Sequence, residues 1–216
     1  MTTTRRAPPR RDALRLGLHA AAAVTLLPLL GCSLNNSPRR EFQVLRDLPG
    51  DGPLPAPATR IPHVLLLAVP TASSLYDSDR MVYSVDGLTR SYFEYGLWAE
   101  RPARSLNKLA LQRLQRSGVF EGVASSTAGV RGDLQLTLGL EDLYFDESQP
   151  DDLVRLVVSA TLVDWRRRRL LAAERFTQQQ PSPTRDDDGM ARAAGIAVGR
   201  LLDQLVAWCA RGAAAG

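Results

Sequence analysis

The stretch Asp133–Phe145, DLQLTLGLEDLYF, places Leu134, Leu136, Leu138 and Leu140 at every second position. Period-two alternation puts these leucines on one side of an extended chain, so the stretch reads as a strand with one buried face. Two further apolar runs follow, LVRLVVSATLVD (153–164) and RLLAAERF (169–176), separated by the polar WRRRR. Three successive strands joined by short turns imply an antiparallel stretch.

Upstream, Leu106, Leu109, Ala110 and Leu114 recur at helical spacing from Ser105, and Gly118 supplies a stop. VFEGV (119–123) reads as a short strand after that helix. Downstream, a final helix starts near DDDGM (186–190), where acidic residues favour the positive helix end. It carries Met190, Ala194, Ala197, Leu201, Leu205 and Trp208 on one stripe, widened by Val198 and Leu202. Closer to the N-terminus, HVLLLAV (63–69) is a continuous apolar run of strand length, and RMVYSV (80–85) is a second strand ending at the Asp86-Gly87 turn signal. EFQVL (41–45) has the pattern of a short strand, whereas DLPGDGPLPAPATR (47–60) is rich in Pro and Gly and packs poorly. Two helices with one apolar face each are satisfied by lying on the sheet. The expected fold is a two-layer α/β domain: a mixed, mostly antiparallel sheet of about five strands with two amphipathic helices packed on it.

The first 31 residues do not belong to that domain. Arginines at 5, 6, 10, 11 and 15 precede a mainly apolar segment from Leu16 to Leu30, the charged and apolar regions of an export signal. That segment is short for a transmembrane helix, which needs about 20 residues. Leu29, Leu30, Gly31 and Cys32 resemble the bacterial lipobox, in which signal peptidase cuts before the cysteine. Cys32 would then carry S-diacylglyceryl and N-acyl chains, enough apolar methylenes for stable anchoring without spanning. Ser33 after the cysteine resembles the outer-membrane sorting pattern, and RRDALRL (10–16) resembles a weakened twin-arginine signal, so both the Sec and the twin-arginine routes fit. The expected boundaries are 1–31 signal peptide, 32–60 acylated cysteine and extended tether, 61–210 a single domain, and 211–216 a disordered tail.

Charge adds an exclusion. The leader holds five arginines and one aspartate of the 27 basic and 23 acidic residues, so the chain after Cys32 is balanced and its basic character is no argument for nucleic acid. Catalytic and metal signatures are missing too. His63 is the one histidine after the leader, with no Ser and Asp at recognisable spacing, and a metal site needs clustered ligands. Cys209 sits on the apolar helical face and reads as a buried, inert thiol. The carboxylates of EDLYFDESQPDD (141–152) and RDDDG (185–189) read as solvated or capping groups. These features predict a protein that is not an enzyme. Two features are left over: Arg166, Arg167, Arg168 and Arg169 form a basic turn, either a solubilising surface or a contact for lipid phosphates or an acidic partner. Tyr92, Phe93, Tyr95 and Trp98 form an aromatic group, either core beneath the first helix or an interface. The Thr71–Arg80 loop is a further candidate contact.

The lipobox cysteine, FQVL followed by LPG, a buried strand ending at Pro70, LYDSDRMVYSVDG, a Tyr-rich segment into LWAERP, the first helix and SGVFEGV occur in an order that resembles the ABC-type transport auxiliary lipoprotein family, which includes paraquat-inducible protein C-like outer-membrane lipoproteins. The resemblance runs from about Glu41 to Ala210. By this resemblance Cys32 matches the acylated position, Tyr83 the aromatic after the acidic segment, and Trp98 the tryptophan that opens the helix. It implies an outer-membrane lipoprotein on the periplasmic side, a non-catalytic accessory to an ABC permease and ATPase and to a periplasmic MCE-domain protein in lipid transport between membranes. The residues alone also fit a lipid-binding carrier or a chaperone-like lipoprotein of another outer-membrane machine, and they leave self-association open.

Overall fold

In the computed structural model, which describes residues 41–48, 60–149 and 151–215, the described residues form nine strands, two α-helices and one short 3-10 helix at Ser126–Ala128. The strands are β1 (Phe42–Gln43), β2 (Ile61–Leu67), β3 (Thr71–Ala72), β4 (Arg80–Ser84), β5 (Ser91–Trp98), β6 (Phe120–Ser125), β7 (Leu134–Asp146), β8 (Leu153–Asp164) and β9 (Arg169–Pro181). Helix α1 (Pro102–Ser117) lies between β5 and β6, and α2 (Asp187–Ala214) follows β9.

β7 is the spine of the sheet. Along one edge it pairs antiparallel with β8 from Leu134↔Asp164 to Asp146↔Leu153, and β8 pairs antiparallel with β9. Along the other edge three strands meet it in succession, all parallel: β2 at Leu134–Leu136, β3 at Gly139–Leu140 and β4 at Phe145–Asp146. β6 extends β2 in parallel, β5 extends β4 antiparallel, and β1 joins β5 in parallel. The mixed α/β sheet with two helices is therefore as expected, but it holds nine strands and not about five, and most of its strand pairings are parallel. The reasons are local and topological. β3 is too short to show a period, β5 hides in the aromatic segment Ser91–Trp98, and α1 carries the chain back over the sheet so that β6 runs parallel to β2.

The helices begin and end on recognisable signals. α1 has Pro102 in its first turn, where the missing N–H costs nothing, and Gly118 stops it at φ 64, a left-handed position free of strain for glycine. α2 starts at Asp186, whose carboxylate accepts the backbone N–H of Gly189 at 2.8 Å. The full expected stripe of α2, Met190 through Trp208, is buried, and so are Ala191, Ala193, Cys209 and Ala213. By length and composition α2 could cross a membrane, but most of its apolar window lies against β8, β9 and α1, as befits a core helix. Trp208 meets Phe176 of β9 edge to face, with ring centroids 5.8 Å apart. α2 continues to Ala214, into the stretch 211–216 expected as a tail.

The chain also engages the domain earlier than residue 61. Leu45 is buried, and the backbone N–H of Leu48 donates to the carbonyl of Gly195 in α2 at 3.2 Å. Glu41–Leu48 thus forms a strap lying against β5 and α2.

Candidate functional site

The arginine turn gathers the polar groups that the sequence singled out. β8 and β9 join through residues 165–168, and the ladder partner Leu134↔Asp164 brings the turn beside the start of β7. Asp133 serves three groups there. Its Oδ2 accepts the backbone N–H of Val64 at 2.8 Å, its Oδ1 lies 2.7 Å from Nη2 of Arg166, and Nδ1 of His63 stands 3.8 Å from Oδ2. Asp164 accepts the backbone N–H of Arg167 at 2.8 Å and pairs with its guanidinium at 3.3 Å. The Arg167 backbone N–H holds the Asp164 carboxyl below the usual carboxylate range. These groups surround a cavity of about 140 Å³, floored by Leu134, Leu171 and Ala213. Arg166 and Arg167 are therefore tied to carboxylates that shape the turn, while Arg168 takes the left-handed φ of 53. His63 lies in the first half of β2, and the carboxylate it faces, Asp133, is already bound to Val64 and Arg166.

A second cluster lies where β3 leads into β4. The Tyr76 hydroxyl donates to Oδ1 of Asp142 at 3.1 Å and accepts from Nε of Arg90 at 3.4 Å, and the Arg90 guanidinium covers the Tyr144 ring at 3.6 Å. Burial pushes the Tyr76 phenol up to about 12. Arg101 adds an ion pair to Asp77 at 3.0 Å. The Thr71–Arg80 loop is thus pinned to the domain at Ser73, Tyr76 and Asp77.

The aromatic group of β5 divides. Trp98 is buried, Phe93 packs against Tyr83 with centroids 5.0 Å apart, Arg80 stacks over Tyr92 at 4.1 Å, and Tyr95 is exposed. It is a strand margin, one face in the core and one outside, and not a cushion beneath α1. Beside it, Phe42, Val44, Arg46, Leu48, Asp188 and Arg192 line an open groove of about 420 Å³.

The carboxylate segments take structural roles: Asp186 caps α2, Asp142 and Asp146 bind Tyr76 and Ser148, and Glu141 pairs with Arg175 at 2.6 Å. Cys209 is fully buried and its thiol is pushed up to about 12 by that burial. Among the described residues no three His, Cys, Asp or Glu side chains gather as a metal site. Cys32 and the expected recognition residues Leu29, Leu30 and Gly31 lie outside the described residues.

One group had no signal in the sequence. Asp47 accepts from Nε and Nη2 of Arg113 and from Nη2 of Arg116, while Nη1 of Arg113 pairs with Asp203 of α2. Burial opposes the Arg113 charge, but its bonds to Asp47 and Asp203 hold the guanidinium above the ordinary arginine value. This network clamps the strap to both helices.

A family model described as the ABC-type transport auxiliary lipoprotein component matches residues 47–206. No curated protein matches the sequence. Among solved structures, a Xanthomonas campestris protein of the family DUF330 is similar at 22% identity and a TM-score of 0.71, covering 80% of this chain and 95% of its own. A hypothetical protein from Chlamydia trachomatis is similar at 10% identity and a TM-score of 0.50, covering 72% of this chain and 99% of its own. At such identities these likenesses concern the fold.

Proposed function

Because the chain belongs to the family of ABC-type transport auxiliary lipoprotein components, we propose that it is a non-catalytic accessory lipoprotein, anchored through acylated Cys32 to the periplasmic face of the outer membrane, serving an ABC transporter and an MCE-domain protein in lipid traffic between membranes. The family match across 47–206 carries this reading. The leader and the Leu29–Cys32 pattern support the anchor, and Ser33 supports outer-membrane sorting. The site geometry supports a docking role: its charged groups are bound to one another in roles that build turns and clamps, and the domain offers outward both charge and exposed apolar side chains such as Phe42, Tyr95 and Trp165. The carrier reading gains less, since the groove at the strap is open and rimmed by Arg46, Asp188 and Arg192, unlike an enclosed apolar chamber.

The test is purification from native membranes in mild detergent, followed by mass spectrometry of proteins and lipids. Recovery of an MCE-domain protein with a permease and ATPase is the expected result. Stoichiometric lipid without those proteins would move the function to carriage by the domain itself.

A further inference from the structure

The tip of the β8–β9 hairpin differs from the rest of the surface. Trp165 and Leu170 are 56% and 59% exposed and flank the four arginines. Leu170 pairs with Val163 at the end of the β8–β9 ladder, and Trp165 opens the turn that follows Asp164, so both lie at the tip of the hairpin. The ion pairs to Asp133 and Asp164 fix Arg166 and Arg167 at the tip while leaving them mostly exposed. Arg168 occupies a left-handed position that glycine or asparagine would fill with less strain, and among the described residues it makes no ion pair.

We infer that this tip is a second, non-covalent contact with the surface of an anionic lipid bilayer. Its arginines meet the phosphates, and Trp165 and Leu170 enter the boundary between headgroups and acyl chains, the depth at which tryptophan is enriched. Each cation near an anionic leaflet strengthens binding about five-fold. The occupant is a bilayer and not an acidic peptide because two large exposed apolar side chains, Trp165 and Leu170, flank the cations, and a membrane interface takes up apolar and basic groups together. The contact rests on the proposed anchor only in that acylation delivers the domain to a membrane.

Trp98 and Trp208 are buried, so Trp165 is the one exposed tryptophan and reports on the tip. The mature acylated protein is reconstituted into vesicles of brominated phosphatidylcholine, alone or mixed with brominated phosphatidylglycerol, and tryptophan quenching is read. Quenching in the mixed vesicles alone, lost in Trp165→Phe and reversed by salt at about 1 M, where the Debye length falls to about 3 Å, is the expected result. Arg168→Gly, which removes a charge and suits the backbone, should weaken the anionic dependence about five-fold. Equal quenching in neutral vesicles overturns the electrostatic contact. So does an unquenched Trp165 that changes only when an acidic protein partner is added. Flotation with the vesicles reports the anchor separately, so a chain that floats yet stays unquenched in anionic lipid sinks the hairpin contact alone.

Discussion

Nε of Arg113 lies 2.9 Å from Oδ2 of Asp47, joining two residues 66 positions apart across the side of α1. Both side chains are nearly buried, at 10% and 6% exposure. An ion pair in that setting is costly to break, since either partner left alone is an uncompensated buried charge. Asp47→Ala should therefore cost about 3 kcal/mol. For a domain of this size that is a fall of roughly 6–12 °C in Tm. The double variant Asp47→Ala/Arg113→Ala should lose less than the sum of the single changes, and a calorimetric double-mutant cycle that came out additive would remove the clamp from this account.

Gly199 is the second half of the same device. A Cβ there would overlap the carbonyl oxygen of Leu48, so α2 needs glycine for the strap to lie close. Gly199→Ala should destabilise by about 1–3 kcal/mol and expose the strap to proteolysis. Mass mapping of limited tryptic digests checks this: new cleavage at Arg46 is expected, and an unchanged pattern contradicts the close approach.

Acid should loosen the turn after β4. The backbone N–H groups of Thr89 and Leu88 hold the Asp86 carboxyl at about 2, below its ordinary 3.8. A depressed folded value means that the stabilisation is present above 3.8 and is lost as pH falls toward 2. Tyr76 acts at the other extreme. Its phenol, raised mainly by burial to about 12 from 10.0, contributes stability that is full below pH 10 and lost as pH climbs through 12. Urea midpoints measured against pH should drop in both windows, the acid drop shrinking in Asp86→Ala and the alkaline drop in Tyr76→Phe.

The two cysteines give a direct check of acylation. Cys209 is buried with its thiol at about 12, so it should stay silent toward Ellman's reagent in the native protein and react after unfolding. If Cys32 is acylated, the mature protein shows no native thiol and a single one in guanidinium. A thiol that reacts before unfolding would mean a free Cys32.

What could be read along the chain was whatever repeats or ends within a few residues. The alternation of Leu134–Leu140, the α2 stripe from Met190 to Trp208, the Gly118 stop and the Asp186 cap are local, because side-chain period and capping bonds span one to four positions. The leader is equally local, and Cys32 stands out by its neighbours alone. Tertiary structure decided the rest. That β2, β3 and β4 share one edge of β7, that Asp133 joins His63, Val64 and Arg166, and that Asp47 reaches Arg113 all depend on pairings between distant segments. Such pairings leave no period in the sequence, since a buried charge finds its partner only after the sheet and helices have brought both to one place.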